Sequence, residues 1–304
     1  MNGFVSLVLY GAHIAIVPFL FIGAIRRGKA LMQGRQGPPL LQPLFDAIKL
    51  LGKGETISST AFWSFYAAPV VGLAAVTTVA LMIPWLGVEC PIAGDLFLVV
   101  YLLAIVKFAT SLAALDTGSS FGAIGASREF AISLFAEPAL IAGLAALALL
   151  AHSSSLTAVF ASGHGGFAMT TIAGLAAIAI WMSAMADLSR MPVDDPTTHL
   201  ELTMIHEAQI LENSGRNLVL VQYATALRAV VLIGIVARVV MLALPPLLPI
   251  LSYAACMLLF VVAACLIVCN EAVMVRLRWR RLPNLLSFAV VASMLACLVA
   301  AMKG

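Results

Sequence analysis

Eight runs of apolar residues, each about the length of a bilayer-crossing helix, constrain this chain more than any other feature. They fall near residues 4–25, 62–86, 95–115, 130–150, 167–188, 218–243, 249–272 and 283–302. A helix needs about 20 residues to cross membrane hydrocarbon. Lipid offers no hydrogen bonds, so each run must satisfy its own backbone, which a helix does. Of the 304 residues, 62% are hydrophobic and 10% charged. Mean hydropathy is +1.07. A soluble domain carries about a quarter charged residues, so too few polar groups are present to cover a soluble surface. The expected fold is an all-α integral membrane protein. It has eight transmembrane helices in a single membrane domain over 1–304, plus an amphipathic helix on the cytoplasmic face. The first run is longer than a secretory core and no small-residue cleavage site follows it, so it reads as a retained helix. The fourth and fifth runs are Ala-rich, which suits close packing inside a bundle. Gly163–Gly166 and Pro245-Pro246 mark tight turns.

The basic residues give the orientation. Arg26, Arg27, Lys29, Arg35, Lys49 and Lys53 follow span 1. Arg128 follows span 3, Arg190 and Arg216 follow span 5, and Arg276, Arg278, Arg280 and Arg281 follow span 7. These loops hold 13 of the 17 basic residues, and the opposite side carries only Lys303. By the positive-inside rule these loops are cytoplasmic and both termini lie outside. A wrong span count would have scrambled this alternation.

The five cysteines form no CxxC pair. Four lie in apolar runs, where a thiol packs as a small hydrophobe. No metal site is expected from them. His206-Glu207 resembles the start of a zinc-protease HExxH motif, but position 210 is Ile, which removes that reading. His13, His152 and His164 read as interfacial or loop residues.

Most polar sequence lies in two cytoplasmic-face segments, 26–61 and 189–217. In the first, Leu40, Leu44, Ile48 and Leu51 recur at helical spacing, with Asp46, Lys49 and Lys53 elsewhere on the helix. That is an amphipathic helix too short to span, suited to docking on a partner or to lying on the lipid surface. In the second, Asp195 can cap a helix starting at Pro196. Leu200, Met204, Ala208 and Leu211 form its apolar stripe, beside Glu201, Glu207, Glu212 and His206. It is either a solvated connector or, given its length and acids, a functional loop.

Ionisable groups inside spans are costly and face a bundle interior. Lys107, Glu137, Asp187, Arg228, Arg238 and Glu271 are the candidates. Asp187 and Glu271 lie near cytoplasmic ends, where they can snorkel, and Arg238 near the outer end. Glu137, Lys107 and Arg228 lie deeper. Two readings stay open: structural ion pairs that fix helix register, and a hydrated proton path running in from the acid-rich face.

The stretch Gly34-Arg35-Gln36-Gly37-Pro38-Pro39-Leu40-Leu41-Gln42-Pro43-Leu44-Phe45-Asp46-Ala47-Ile48-Lys49-Leu50-Leu51 resembles the signature of the complex I subunit 1 family. The likeness continues through Arg128, Glu137, Asp187 to Pro196, Glu201 and Glu212-Asn213-Ser214-Gly215, and so covers nearly the whole chain. Leu200 to Ala208 resembles the hydrogenase branch, the membrane subunits of formate hydrogenlyase and hydrogenase-4-type complexes. Three positions depart from the family pattern: Asp187 stands where the quinone branch typically has Glu, Gln222 where a carboxylate is expected, and Arg228 adds a cation near mid-bilayer.

The resemblance implies a subunit without its own redox centre or cofactor in an inner-membrane oxidoreductase complex. Nickel–iron (Ni–Fe) and iron–sulfur (Fe–S) centres are then expected in partner subunits on the cytoplasmic side. Antiporter-like membrane subunits and lipid are the other expected partners, and nucleic acid is not one. No residue is assigned as catalytic and none as a metal ligand. Glu137, Asp187, Glu201, Glu207 and Glu212 are the expected proton or ion coupling residues. Arg128, Arg190, Asp194, Lys107 and Arg228 are expected to structure the loops or share in coupling. Arg35, Gln36, Gly37, Pro38, Gln42, Asp46 and Lys49 are the expected docking platform. The rivals are a quinone-site subunit of NADH–quinone oxidoreductase, marked by a quinone-sized cavity between span 1 and the 40–51 helix; a lone transporter, disfavoured by the lack of an internal repeat; and a pure scaffold.

Overall fold

A computed structural model describes residues 3–85, 90–161, 166–194, 205–245 and 248–303, with side chains from residue 6 onward. Eight of its helices are long and apolar enough to cross a membrane. They are α1 (Gly3–Met32), α3 (Trp63–Met82), α4 (Leu96–Asp116), α5 (Ser120–Ala151), α7 (Phe167–Asp187), α9 (Gly215–Met241), α10 (Pro249–Val273) and α11 (Leu282–Ala301). Three short α-helices, α2 (Gln42–Leu51), α6 (Leu156–Ala161) and α8 (His206–Ile210), and one 3-10 turn, Trp279–Arg281, complete the described set. Among the described residues no strand forms beyond one isolated bridge, Asp95 to Ser155. The chain is a multi-pass, all-α membrane protein.

α9 is the most buried span. It packs against α1, α3, α7 and α10, while α11 lies against α5 and α7, and α4 against α3 and α5. Between spans the chain is tied by short-range polar contacts that water cannot supply in lipid. Asp95 caps α4, its carboxylate accepting from the Phe97 amide at 2.8 Å. Asp116, at the other end of α4, accepts from the Phe62 and Phe65 amides at 2.9 and 3.1 Å and so caps α3. One acid thereby satisfies orphan donors of a neighbouring helix.

Two boundaries differ clearly from expectation. α1 runs on to Met32, so Arg26, Arg27 and Lys29 lie in the helix and not in the loop after it. α5 starts at Ser120, not at 130, so Arg128 lies inside the helix and not in a loop. Hydropathy stops a span at charged residues, but this end is buried in protein. A Cβ on Gly122 would come within 2.6 Å of the Ala114 carbonyl oxygen, and one on Gly125 within 2.8 Å of the Ile205 oxygen. Glycine at both positions lets α5 continue against α4 and α8.

His13 also departs from expectation. It is not interfacial but buried in α1. Its ring stacks on Trp85 with centroids 5.1 Å apart. Trp85 in turn lies on Gly234, where a Cβ would sit 1.7 Å from the indole.

α2 forms at the expected place and none of its residues is buried. Leu41, Phe45, Ile48 and Leu51 are exposed. The loop before it crosses α1 so closely that a Cβ on Gly23 would meet the Leu40 carbonyl at 1.8 Å. The expected cap at Asp195-Pro196 and the stripe residues Leu200 and Met204 lie outside the described residues, as do Glu201, Gly163, His164 and Pro246.

Candidate functional site: a buried ion cluster beside a polar cavity

Asp187 is the last residue of α7. It does not snorkel. Its Oδ2 accepts from Arg228 Nε on α9 at 2.7 Å, and its Oδ1 pairs with Lys107 Nζ on α4. Lys107 also donates to Ser133 Oγ at 3.3 Å and pairs with Glu137 Oε1 at 3.2 Å, both on α5. Lys107, Asp187 and Arg228 are each less than a tenth exposed, while the Glu137 side chain is a third exposed. Charges so deep persist because each has an opposite charge in contact. Four spans are joined through this one cluster.

Glu271 of α10 does not snorkel either. It is buried and pairs with Lys29 of α1 at 3.3 Å and Arg190 at 2.9 Å. Asp194 accepts from the Ile205 amide at 3.1 Å and pairs with Arg276 at 3.3 Å. The Leu277 amide donates to the Pro192 carbonyl at 3.0 Å. Arg190 and Asp194 thus strap the loop after α7 to α10 and the segment that follows it.

Between α1, α2, α8 and α9 lies a cavity of about 520 Å³. Phe19, Ile22 and Ile25 make its apolar wall, and Asp46, Lys49 and Lys53 line its α2 side. Glu271, Arg190, Glu207, His206 and Gln222 supply further polar lining. Burial, helped by the positive charges of Arg228 and Arg190, pushes the His206 imidazole down from its ordinary 6.5 to about 4. Asp187 pulls the other way with less effect. The ring is therefore neutral near pH 7.

Of the residues singled out from sequence, Lys107, Glu137, Asp187 and Arg228 meet in the cluster. Asp46, Lys49, Arg190 and Glu207 line the cavity. Gln42 donates to Asp46 at 2.9 Å, and Arg26 pairs with it at 3.4 Å. Gly37 lies under Arg27, and Arg35 and Gln36 are exposed with Pro38 partly covered. Glu212 lines neither space. Its neighbour Ser214 instead accepts from the Thr56 amide and donates to the Thr56 carbonyl, each at 2.8 Å. Glu201 lies outside the described residues. Glu129 escapes a reading by hydropathy, which puts it before the fourth span, yet it is buried in α5 at 4% exposure. Its immediate neighbour Arg128 disguises it as a loop charge, and only the buried extension of α5 exposes its position. Among the described residues no three His, Cys, Asp or Glu side chains gather to hold a metal ion.

The NADH dehydrogenase family matches residues 5–302. Hydrogenase-4 component C of Escherichia coli (strain K12) is 32% identical over 215 residues, 70% of this chain and 67% of that protein. Formate hydrogenlyase subunit 4 of the same organism is 31% identical over 233 residues, 74% of this chain and 75% of that protein. An NADH-quinone oxidoreductase subunit of Anaplasma phagocytophilum (strain HZ) is 27% identical over 248 residues, 73% of this chain and 71% of that one. A chain of the membrane-bound sulfane sulfur reductase, an archaeal respiratory membrane complex, superposes with TM-score 0.84 over 99% of this chain and 100% of its own, at 22% identity, and so shares the fold. The chain belongs to the NADH dehydrogenase family, as a membrane subunit of the complex I-like kind with hydrogenase-4 and formate hydrogenlyase subunits among its relatives.

Proposed function

We propose that this chain is the membrane-anchor and coupling subunit of a group 4 nickel–iron hydrogenase-like complex, in which electron transfer in a peripheral arm drives proton or sodium movement through the membrane. The observation that carries this reading is Asp187 held between Lys107 and Arg228, on three different spans, deep in the bundle. An ion-pair cluster shared by several helices has discrete alternative pairings. A charge change at its edge can therefore be converted into a rearrangement of spans. The cavity at the basic-loop end, lined by α2 and α8, is where such a change would arrive.

In this reading the basic loops face the cytoplasm and both termini face outward. Partner subunits carry the nickel–iron and iron–sulfur centres, and antiporter-like subunits continue the membrane arm. The exposed apolar residues Phe45, Ile48 and Leu51 of α2 belong to the docking platform. A second reading, a quinone-site subunit of NADH–quinone oxidoreductase, is favoured by the cavity itself. Its size falls in the range of small-molecule sites, which runs from about 300 to 1,000 Å³.

The test is isolation of the tagged chain from native membranes in mild detergent, identification of co-purifying chains by mass spectrometry, and an assay of hydrogen evolution from a reduced artificial donor. Nickel–iron and iron–sulfur subunits with hydrogenase activity support the first reading. A quinone-reducing arm moves the chain to the second, and recovery as a lone ion transporter removes both.

A further inference from the structure

A second large cavity opens on the outside of the bundle, as a groove between α1 and α10 with a volume of about 590 Å³. Phe21, Phe260, Ala264 and Val268 make its buried floor, and Leu20 and Val261 its exposed rims. The two helices close on each other at Gly28, where a Cβ would come within 3.0 Å of Val268 Cγ2. No charged or amide side chain lines the groove. Along α1 the lining runs from Val17 to Met32, about 22 Å at 1.5 Å per residue. That is the depth of one leaflet, whose hydrocarbon is about 15 Å thick. Spread over this length, the volume gives a mean cross-section of about 30 Å², less than half that of a helix about 10 Å across. The groove has the section of hydrocarbon chains.

Lipid tails are as apolar as the groove, so the apolar lining by itself selects no occupant. The charges at its mouth do. Leu20, Ala24, Arg27 and Leu31 follow one another at helical spacing, which places Arg27 on the same face of α1 as three lining residues. The chain between Met32 and Leu40, both lining residues, arches over that end and carries the exposed Arg35. Gly37 of the arch rests on the Arg27 stem, since a Cβ there would come within 3.0 Å of Arg27 Cγ. The other cations at this end of the bundle already have carboxylates: Arg26 has Asp46, Lys29 and Arg190 have Glu271, and Arg276 has Asp194. Among the described residues Arg27 and Arg35 form no ion pair.

We propose that this groove is a binding site for an anionic phospholipid, with an acyl chain along α1 and α10 and the phosphate at Arg27 and Arg35. A zwitterionic lipid offers the same tail but cancels its phosphate with its own cation. The two arginines therefore make the site selective for net negative headgroups. Guanidinium groups suit it, because their forked donors match phosphate oxygens. The site lies on the opposite side of α1 from the helix α2 contacts of Asp46 and is independent of the coupling role proposed above.

The test uses the intact complex in mild detergent, with phosphatidylglycerol carrying a photoreactive diazirine near the end of one acyl chain. After illumination, adducts are located by peptide mass spectrometry. They are expected on the peptides holding Val17–Ala24 and Met257–Ala264, and unlabelled phosphatidylglycerol should compete them away where phosphatidylcholine does not. Replacing both arginines, Arg27→Gln with Arg35→Gln, should weaken binding about 30-fold, at about fivefold for each basic residue near an anionic headgroup. Arg27→Lys with Arg35→Lys keeps the charge and should stay within about threefold of the unaltered complex. Ala24→Phe fills the groove without touching either arginine and should remove the adducts on α10. Labelling no stronger than on the exposed face of α4, equal competition by phosphatidylcholine, or full labelling after loss of both arginines overturns the site. So does labelling that falls on a neighbouring subunit covering α1 and α10. The readout needs no turnover, so a complex without hydrogenase activity overturns the proposed function and leaves the lipid site to be decided by its own result.

Discussion

Asp187 and Arg228, 41 residues apart in sequence, meet with Arg228 Nε 2.7 Å from Asp187 Oδ2, and Lys107 closes on the other carboxylate oxygen. Asp187→Asn leaves two buried cations facing an amide. Removing one partner of a buried ion pair costs about 3–5 kcal/mol, because the uncompensated charge stays in the low-dielectric interior. The purified complex should melt at a clearly lower temperature. A combined Asp187→Leu and Arg228→Met change should recover part of the loss, as apolar replacement of a whole pair does. Equal melting of Asp187→Asn and the unaltered protein would show that the pair is not buried as described.

His206 contributes a pH dependence of stability with a defined sign. Its pKa is lowered from 6.5 to about 4 on folding. The unfolded chain therefore binds the extra proton between those values, and stability rises with pH there. Stability is full above about 6.5 and falls as pH drops toward 4. The thermal midpoint of His206→Gln, plotted from pH 7 down to pH 4, should fall less steeply than that of the unaltered protein. Parallel curves would mean that the ring is not held neutral.

Gly23 is needed for the close crossing of α1 by the loop that leads to α2. Gly23→Ala puts a methyl group where the Leu40 carbonyl lies. Overpacking of this kind costs about 1–3 kcal/mol. The loop should lift, and trypsin should cleave after Arg35 faster than in the unaltered protein. Unchanged cleavage would place the loop elsewhere.

Ser214 ties the start of α9 to Thr56 through a donated and an accepted hydrogen bond. Ser214→Ala should cost about 1 kcal/mol. The Thr56 amide should exchange with deuterium faster while the spans stay protected. Loss of protection throughout the bundle would give this contact a wider role than the geometry implies.

Much of the fold is legible in the sequence because each span carries its own signal. A run of apolar residues bounded by Arg, Lys, Gly or Pro needs no knowledge of its neighbours to be read as a helix. That covers α1, α3, α4, α7, α9, α10 and α11, and α2 follows from its spacing of leucines. α5 reads too short because burial of its first turns depends on α4 and α8, which lie elsewhere in sequence. Lys107, Glu137, Asp187 and Arg228 are visible as charges in apolar runs. Their pairing is not visible, since hydropathy gives depth and not the direction in which a side chain points. Glu271 and Asp187 look able to reach water at a helix end, and packing against α1 and the loop after α7 denies Glu271 that route.

By itself the sequence determined that this chain lives in lipid, how many times it crosses, and which family it resembles, because those follow from local composition and from motifs read in order. Only the tertiary structure decided which charges meet, that Glu129 is buried, and that His206 lines the cavity between α1, α2, α8 and α9. Those facts depend on rotation and contact among helices distant in sequence, where a shift of one residue turns a side chain by about 100°, from the bundle toward lipid.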